Sequence, residues 1–352
     1  MELGARQRRV RVLVCDDSPL MRRIIADLLA EAGFEVVGYA GNGAELVERV
    51  RALRPDVVTL DVEMPRMDGI AAVRELMAAR PTPVVMVSSL TARGADATVR
   101  ALEAGAVDAI QKPAAGASLR AWQPLRDELA AKVRAAAVAR VRPPAPLGAA
   151  RPPGALAERA RAATRRLVVI ASSTGGPRAL AQVVTRLPSP LGAGVLIVQH
   201  MPVGFTASLA ARLDAGSALS VREARRHDEI RPDTALVAPA GAHLEVVARG
   251  RVRLTDDPPI GALRPRADVT LASAARAYGA DVLAVVLTGM GNDGEAGIRE
   301  VKRSGGRALA EDESTCVVYG MPRAVVEAGL ADASFPVDAM AIAIVEAVAR
   351  GR

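Results

Sequence analysis

Short apolar runs alternate with stretches whose apolar positions recur every three or four residues, first from Val10 to Gln111 and again from Leu167 onward. In the first region the runs Val10 to Cys15, Glu35 to Ala40, Asp56 to Leu60, Val84 to Val87 and Asp108 to Gln111 predict five strands separated by helices. Five β/α units in succession require a parallel sheet with helices on both faces. In the second region Leu167 to Ala171, Gly194 to Gln199 and Asp281 to Leu287 predict buried strands of another sheet, parallel wherever strand, helix and strand follow one another. The expected fold class is therefore α/β twice over: a (βα)5 domain at 9–130 and a doubly wound, mainly parallel α/β domain at 166–350.

Between them the pattern breaks down. Ser118 to Arg140 reads as the last helix of the first domain, with Leu119, Trp122, Leu125, Leu129 and Val133 at spacings of three and four. VRPPAPLGAARPPG then has proline pairs and glycines that forbid regular structure, and Ala155 to Arg166 predicts a short helix before the second domain. We place the linker at 131–165.

Composition changes this picture in one respect. The 352-residue chain has a formal charge of +7, which invites a nucleic-acid reading. Yet residues 120–166 hold 11 basic residues against three acids, while the remainder holds 35 against 36, so the excess belongs to the linker region. Apart from Trp122 that segment has no aromatic residue for stacking on bases, and we expect no nucleic-acid partner. No apolar run approaches the roughly 20 residues needed to span a bilayer, and Met1 to Arg9 is polar and basic, unlike a signal peptide. Neither membrane insertion nor export is expected, and a cytoplasmic setting is. Cys15 and Cys316 stand far apart in apolar segments, as buried thiols do.

Functional groups of parallel α/β sheets gather at the carboxyl ends of strands. In the first domain Asp16 and Asp17 follow the first strand, Asp61 ends the third, Ser88 the fourth and Lys112 the fifth. Three converging carboxylates repel one another, and a hard cation with oxygen ligands relieves this. The chain uses 43 Arg and only three Lys, so a compact ammonium at position 112 is itself a signal. The motifs VLVCDDSPLMRRII, TLDVEMPRMDG, VVMVSS and IQKP resemble the receiver domain of two-component response regulators. That resemblance implies a flavodoxin-like fold, Asp61 as phosphoacceptor, Mg²⁺ held by Asp16 and Asp17 together with Asp61, Ser88 meeting the phosphoryl group and Lys112 pairing with it. Ala109 stands where receivers usually have an aromatic residue, which removes a rotating ring from the signalling expected here.

In the second domain LVVIASSTGGPRAL runs from a strand into small hydroxyl residues, two glycines and a helix start. A serine on such a turn is lifted out of the sheet, and the N–H groups of Thr174, Gly175 and Gly176 would face whatever it attacks. Of three histidines, His227 lies in a charged run, His243 beside a glycine turn, and His200 alone ends a buried strand. Asp293 follows the strand Asp281 to Leu287 in TGMGNDG. Serine, histidine and aspartate thus reach one predicted sheet edge, the set needed for nucleophile, general base and orienting carboxylate. A rival reading exists: Gly289, Gly291 and Gly294 spell G-x-G-x-x-G, with Glu311 beyond a further strand, as in a dinucleotide site, although Asp293 would place negative charge near the pyrophosphate.

VIASSTGGPRAL, IVQHMPVGFT, LTGMGNDGEAG and STCVVYGMPRA resemble the catalytic domain of CheB-type chemotaxis protein-glutamate methylesterases. By that resemblance the nucleophile is Ser173 with Ser172 as its neighbour, His200 is the base, Asp293 the orienting acid, and the Met290 loop lines the site. The implied reaction is hydrolysis of glutamate γ-methyl esters on methyl-accepting chemoreceptors, with glutamine deamidation by the same groups and no esterase cofactor. A histidine kinase of the chemotaxis system would phosphorylate the receiver, which covers the esterase site until then. LRPRADV departs from the pattern, with Arg266 where a small serine is usual, so the substrate-facing surface is expected to differ there. A binding module without activity and a receiver-controlled dehydrogenase are the other classes left open.

Overall fold

The computed structural model describes residues 8–89, 91–113, 122–143, 166–247 and 250–349. The chain divides into two compact units, Met1–Pro144 and Ala145–Arg352.

The first unit is a five-stranded sheet of β1 (Arg11–Cys15), β2 (Glu35–Ala40), β3 (Val57–Leu60), β4 (Val84–Ser88) and β5 (Asp108–Gln111), within one residue of the expected runs. All neighbours pair in parallel in the order β2-β1-β3-β4-β5, the flavodoxin-like order. Strands β3 and β4 are buried along their whole length, as helix-covered strands must be. The connecting helices are α1 (Pro19–Glu31), α2 (Gly43–Leu53), α3 (Gly69–Ala79), α4 (Ala92–Glu103) and α5 (Gln123–Ala137). Four of them start on a side-chain cap that accepts a backbone N–H: Ser18, Asn42, Asp68 and Thr91. Residues 118–121 of the expected last helix lie outside the described residues; Trp122, Leu129 and Val133 are buried.

In the second unit the seven-stranded sheet is β6 (Arg166–Ser172), β7 (Ala193–Gln199), β8 (Ser220–Glu223), β9 (Thr234–Val237), β12 (Val282–Val286), β13 (Arg307–Glu311) and β14 (Ala333–Phe335), with β10 (His243–Val247) and β11 (Arg251–Thr255) forming a separate antiparallel hairpin. The order is β14-β13-β12-β6-β7-β9-β8, and every pair in this sheet is parallel. The helices are α6 (Gly176–Val184), α7 (Phe205–Gly216), α8 (Ala267–Tyr278), α9 (Glu295–Arg303), α10 (Met321–Glu327) and α11 (Val337–Ala349). The chain runs from β6 to β7 and out to the edge strand β8, returns to place β9 between β7 and β8, then crosses to β12 on the other side of β6. The winding reverses between β6 and β12, and a crevice opens at the carboxyl ends of strands at such a point. Apolar β6, β7 and β12 form the centre, with Leu271, Ala274 and Ile298 of α8 and α9 in the same core. The short helix expected over 155–166 falls on residues outside those described, save Arg166, which begins β6.

Candidate functional sites

In the first unit the strand-end residues come together as the sequence implied. Lys112 Nζ lies 2.7 Å from both Asp16 Oδ2 and Asp61 Oδ2. Asp16, Asp17 and Asp61 each bring a carboxylate oxygen within 4.8 Å of the others, Asp17 being the exposed member. Burial pushes the Asp61 carboxyl above the usual range, against the pull of Lys112, while the two acids hold the Lys112 ammonium up in spite of its burial. Ser88 is buried at the end of β4, its hydroxyl 3.4 Å from the Ser89 and Gly94 carbonyls. Scarcity of lysine turns out to mark more than this position: Lys132 bridges Asp108 and Glu128 and donates to the Ala109 carbonyl, and Lys302 pairs with Asp332.

In the second unit β6 lies between β12 and β7, so a turn at its end has both neighbours' loops beside it. The last paired residues are Ser172 and Gln199, which makes Ser173 and His200 the next residues on strands about 4.8 Å apart. Ser172 is fully buried, and its hydroxyl donates to Gln199 Oε1 at 2.7 Å. Ser173 is half-buried, at the turn, with its N–H on the Thr288 carbonyl at 3.0 Å. Gly175 follows at φ +79°, a left-handed conformation, and a Cβ there would meet Val317 Cβ at 2.6 Å. Pro177 sits in the first turn of α6, as expected.

The loop after β12 carries Asp293 across to β7's side, where its Oδ2 lies 2.8 Å from His200 Nε2. Asp293 is buried, and Ala267 N–H donates to Oδ2 at 2.7 Å and Asp268 N–H to Oδ1 at 3.0 Å. Burial alone would raise this carboxyl; the His200 hydrogen bond and the two amides outweigh it and hold it below the usual range. With Nε2 on the carboxylate, Nδ1 is the ring nitrogen left to accept a proton. Gly289 places the loop against the serine, since a Cβ there would stand 2.8 Å from Ser173 Cβ, and Met290 beside it is 42% exposed. His227 is exposed in its loop, and His243 is buried with Nε2 3.3 Å from the Pro258 carbonyl.

One expectation is corrected, and the rival reading of the glycine-rich loop loses its support. Gly176 is not an open donor, because its N–H is bound to the Ser173 carbonyl at 2.7 Å to close the turn. Arg266, 19% exposed, lies against the Asp268 carboxylate at 2.9 Å and Asp293 Oδ1 at 3.3 Å. The dinucleotide reading of GMGNDG needs open N–H groups at the start of α9, yet Asp268 Oδ1 accepts those of Gly294 and Gly297 at 2.9 and 2.8 Å. Glu311, the acid that reading required, is buried under the turn and accepts the Thr288 N–H at 2.8 Å.

Asp268, Gln199 and Thr288 are not among the residues expected at the site, and Glu311 enters only through the rival reading. Gln199 had a signal: a polar residue closing a wholly apolar strand must have its amide satisfied inside the protein. Asp268 had none, because the amides that it accepts, those of Gly294 and Gly297, belong to a separate segment of the chain.

The CheB methylesterase family model matches residues 168–344, and the response regulator receiver domain model residues 12–122. The chain is 52% identical to a protein-glutamate methylesterase/protein-glutamine glutaminase of Symbiobacterium thermophilum, over 98% of this chain and 99% of that one. It is 43% identical to a protein of the same description from Pyrococcus horikoshii, over 97% and 94% of the two chains. Among solved structures it is similar to the Thermotoga maritima CheB methylesterase catalytic domain, with a TM-score of 0.51 and 45% identity, covering 52% of this chain and 98% of that one.

Proposed function

This chain belongs to the CheB methylesterase family, and from that premise we propose that it demethylates glutamate γ-methyl esters of chemoreceptors under the control of its receiver domain. The observation that carries the reading is the 2.8 Å pairing of His200 with Asp293 at the mouth of the turn that presents Ser173.

Ser173 Oγ attacks the ester carbonyl as its proton passes to His200 Nδ1. Asp293 accepts from Nε2–H, which keeps the ring in the tautomer with Nδ1 free and stabilises the imidazolium. Backbone donors of the turn at Thr174 and Gly175, at the N-terminal end of α6, stabilise the oxyanion. The imidazolium protonates the departing methoxide, and methanol leaves behind an ester between Ser173 and the receptor glutamate. Water then attacks that ester, giving its proton to His200, and Ser173 recovers a proton as the free glutamate is released. A receptor glutamine would follow the same course with ammonia as the leaving group.

A receiver domain implies Mg²⁺ for phosphorylation, and three oxygen ligands within 4.8 Å of one another suit a hard cation. Asp16, Asp17 and Asp61 would hold it; when bound, it balances the charge of the incoming phosphoryl oxygens. Asp61 accepts the phosphoryl group from a chemotaxis histidine kinase, Ser88 and Lys112 contact it, and esterase activity rises. Among the described residues no helix is long and apolar enough to cross a membrane; the proposed substrates and phosphodonor imply a cytoplasmic setting.

The test is methanol release from methylated chemoreceptors with and without a small phosphodonor. We expect release that rises with phosphodonor in the parent chain and stays at the basal rate in Asp61→Asn. No methanol under either condition would overturn the reading.

A further inference from the structure

Gln199 closes a strand that is otherwise wholly apolar, and its side chain is buried. A buried amide must satisfy two donors and an acceptor. Its Oε1 accepts the Ser172 hydroxyl at 2.7 Å, and its Nε2 donates to the Ser173 carbonyl and to the His200 carbonyl, each at 2.9 Å. The orientation is determined by these partners, because the reversed amide would set an oxygen against two carbonyl oxygens. Gly176 makes room for it: a Cβ there would stand 2.0 Å from Gln199 Oε1.

The β6–β7 ladder reaches its end with the His200 N–H on the Ser172 carbonyl at 3.1 Å. Past this point the strands part into their separate loops, and the Gln199 amide spans the gap from one peptide to the other. The Ser173 peptide has further holds, its N–H on Thr288 and its carbonyl on Gly176. The His200 carbonyl is tied to that frame through Gln199. Resting on the reading of Ser173 and His200 as nucleophile and base, we propose that Gln199 is a positioning residue that sets the separation of those two peptides. It touches no reacting atom and acts through the backbone that carries them. Misplacing reacting groups by about 1 Å costs on the order of 10² in rate, so the amide matters far more to turnover than to substrate binding.

The experiment uses the full chain with phosphodonor and compares Gln199→Met, of similar volume without the amide, with Ser172→Ala, which removes only the hydroxyl partner of Oε1. Circular dichroism establishes that each is folded. Two readouts follow: kcat and KM for methanol release from methylated chemoreceptors, and the rate at which a small fluorophosphonate modifies Ser173, which reports nucleophile activation without receptor binding. Gln199→Met should lower kcat and the modification rate by about 10² with KM within about twofold, whereas Ser172→Ala should lower them less than about fivefold. If Gln199→Met fails to fold, Gln199→Glu, isosteric and still able to accept the Ser172 hydroxyl, is expected to lose kcat in the same way. A parental kcat in the folded variants, a loss confined to KM, or equal losses for Gln199→Met and Ser172→Ala would overturn the inference. Parental turnover is measured first: its absence overturns the esterase reading itself, and its presence beside an unimpaired Gln199 variant overturns the role of Gln199 alone.

Discussion

The two units start their helices in different ways. In the receiver unit Ser18, Asn42, Asp68 and Thr91 each cap a helix with a side chain that takes up a first-turn N–H. At the carboxyl edge of the second unit α6, α7 and α9 begin instead on left-handed glycines, Gly175, Gly204 and Gly294, without a side-chain cap. The receiver edge gathers carboxylates and answers them with Lys112, so it needs no positive helix ends. An esterase edge has to stabilise a negative charge that appears only during reaction, and a glycine at the start of α6 adds no side-chain acceptor beside it. Where the second unit does fill such a start, at α9, it uses Asp268 from another helix and thereby ties that end to Asp293 through Arg266.

The largest effect that would break this contrast is at the proposed nucleophile. Ser173→Ala should reduce methanol release by about 10⁴ or more while leaving phosphorylation of Asp61 intact, because the two edges do separate chemistry. Normal turnover in that variant would move the nucleophile elsewhere.

Asp293→Asn comes next. Loss of the charge beside His200 Nε2 should lower kcat by more than about 10² with fold retained. The same assay run with added NADH should show no nucleotide binding, since the donors at the start of α9 are already taken by Asp268.

Buried acids sharpen the comparison further. Asp16 and Asp61 share a lysine, whereas Glu311 has, among the described residues, the Thr288 N–H, the Thr315 hydroxyl and Cys316 as partners, and burial pushes it up to about 7 from 4.5. The folded state therefore holds a proton that the unfolded state releases between those values, so the stability Glu311 contributes falls as pH rises from about 4.5 to about 7. The decline should be about 3 kcal/mol. Urea unfolding followed by circular dichroism should show it in the parent and a flatter profile in Glu311→Gln; parallel profiles would mean that Glu311 is ionised in the fold.

The smallest expected effect is at a cap. Asn42 Oδ1 accepts the Glu45 N–H at 3.0 Å, so Asn42→Ala should cost the receiver unit about 1 kcal/mol with basal esterase activity unchanged. A loss of basal activity would show that the cap serves more than its own helix.

Much of this molecule was legible in its sequence, for a physical reason. Strands covered by helices on both faces are unbroken apolar runs, so β6, β7 and β12 and the five receiver strands stand out within a residue or so of their ends. Parallel pairing then carries whatever follows each strand to one edge, which is how Asp61 and Lys112, and His200 and Asp293, came together from positions far apart. What the sequence left undecided depends on hydrogen bonds between segments that no local pattern relates. Whether the Gly176 N–H stays open, which way Arg266 turns, and which carboxylate fills the start of α9 follow from satisfying each buried polar group against its actual neighbours. Strand and turn types are determined locally by side-chain pattern and glycine; the partners of Gln199, Asp268 and Glu311 are determined by the tertiary fold, because a buried donor or acceptor left unmatched costs about 1–3 kcal/mol, more than most single-residue propensities.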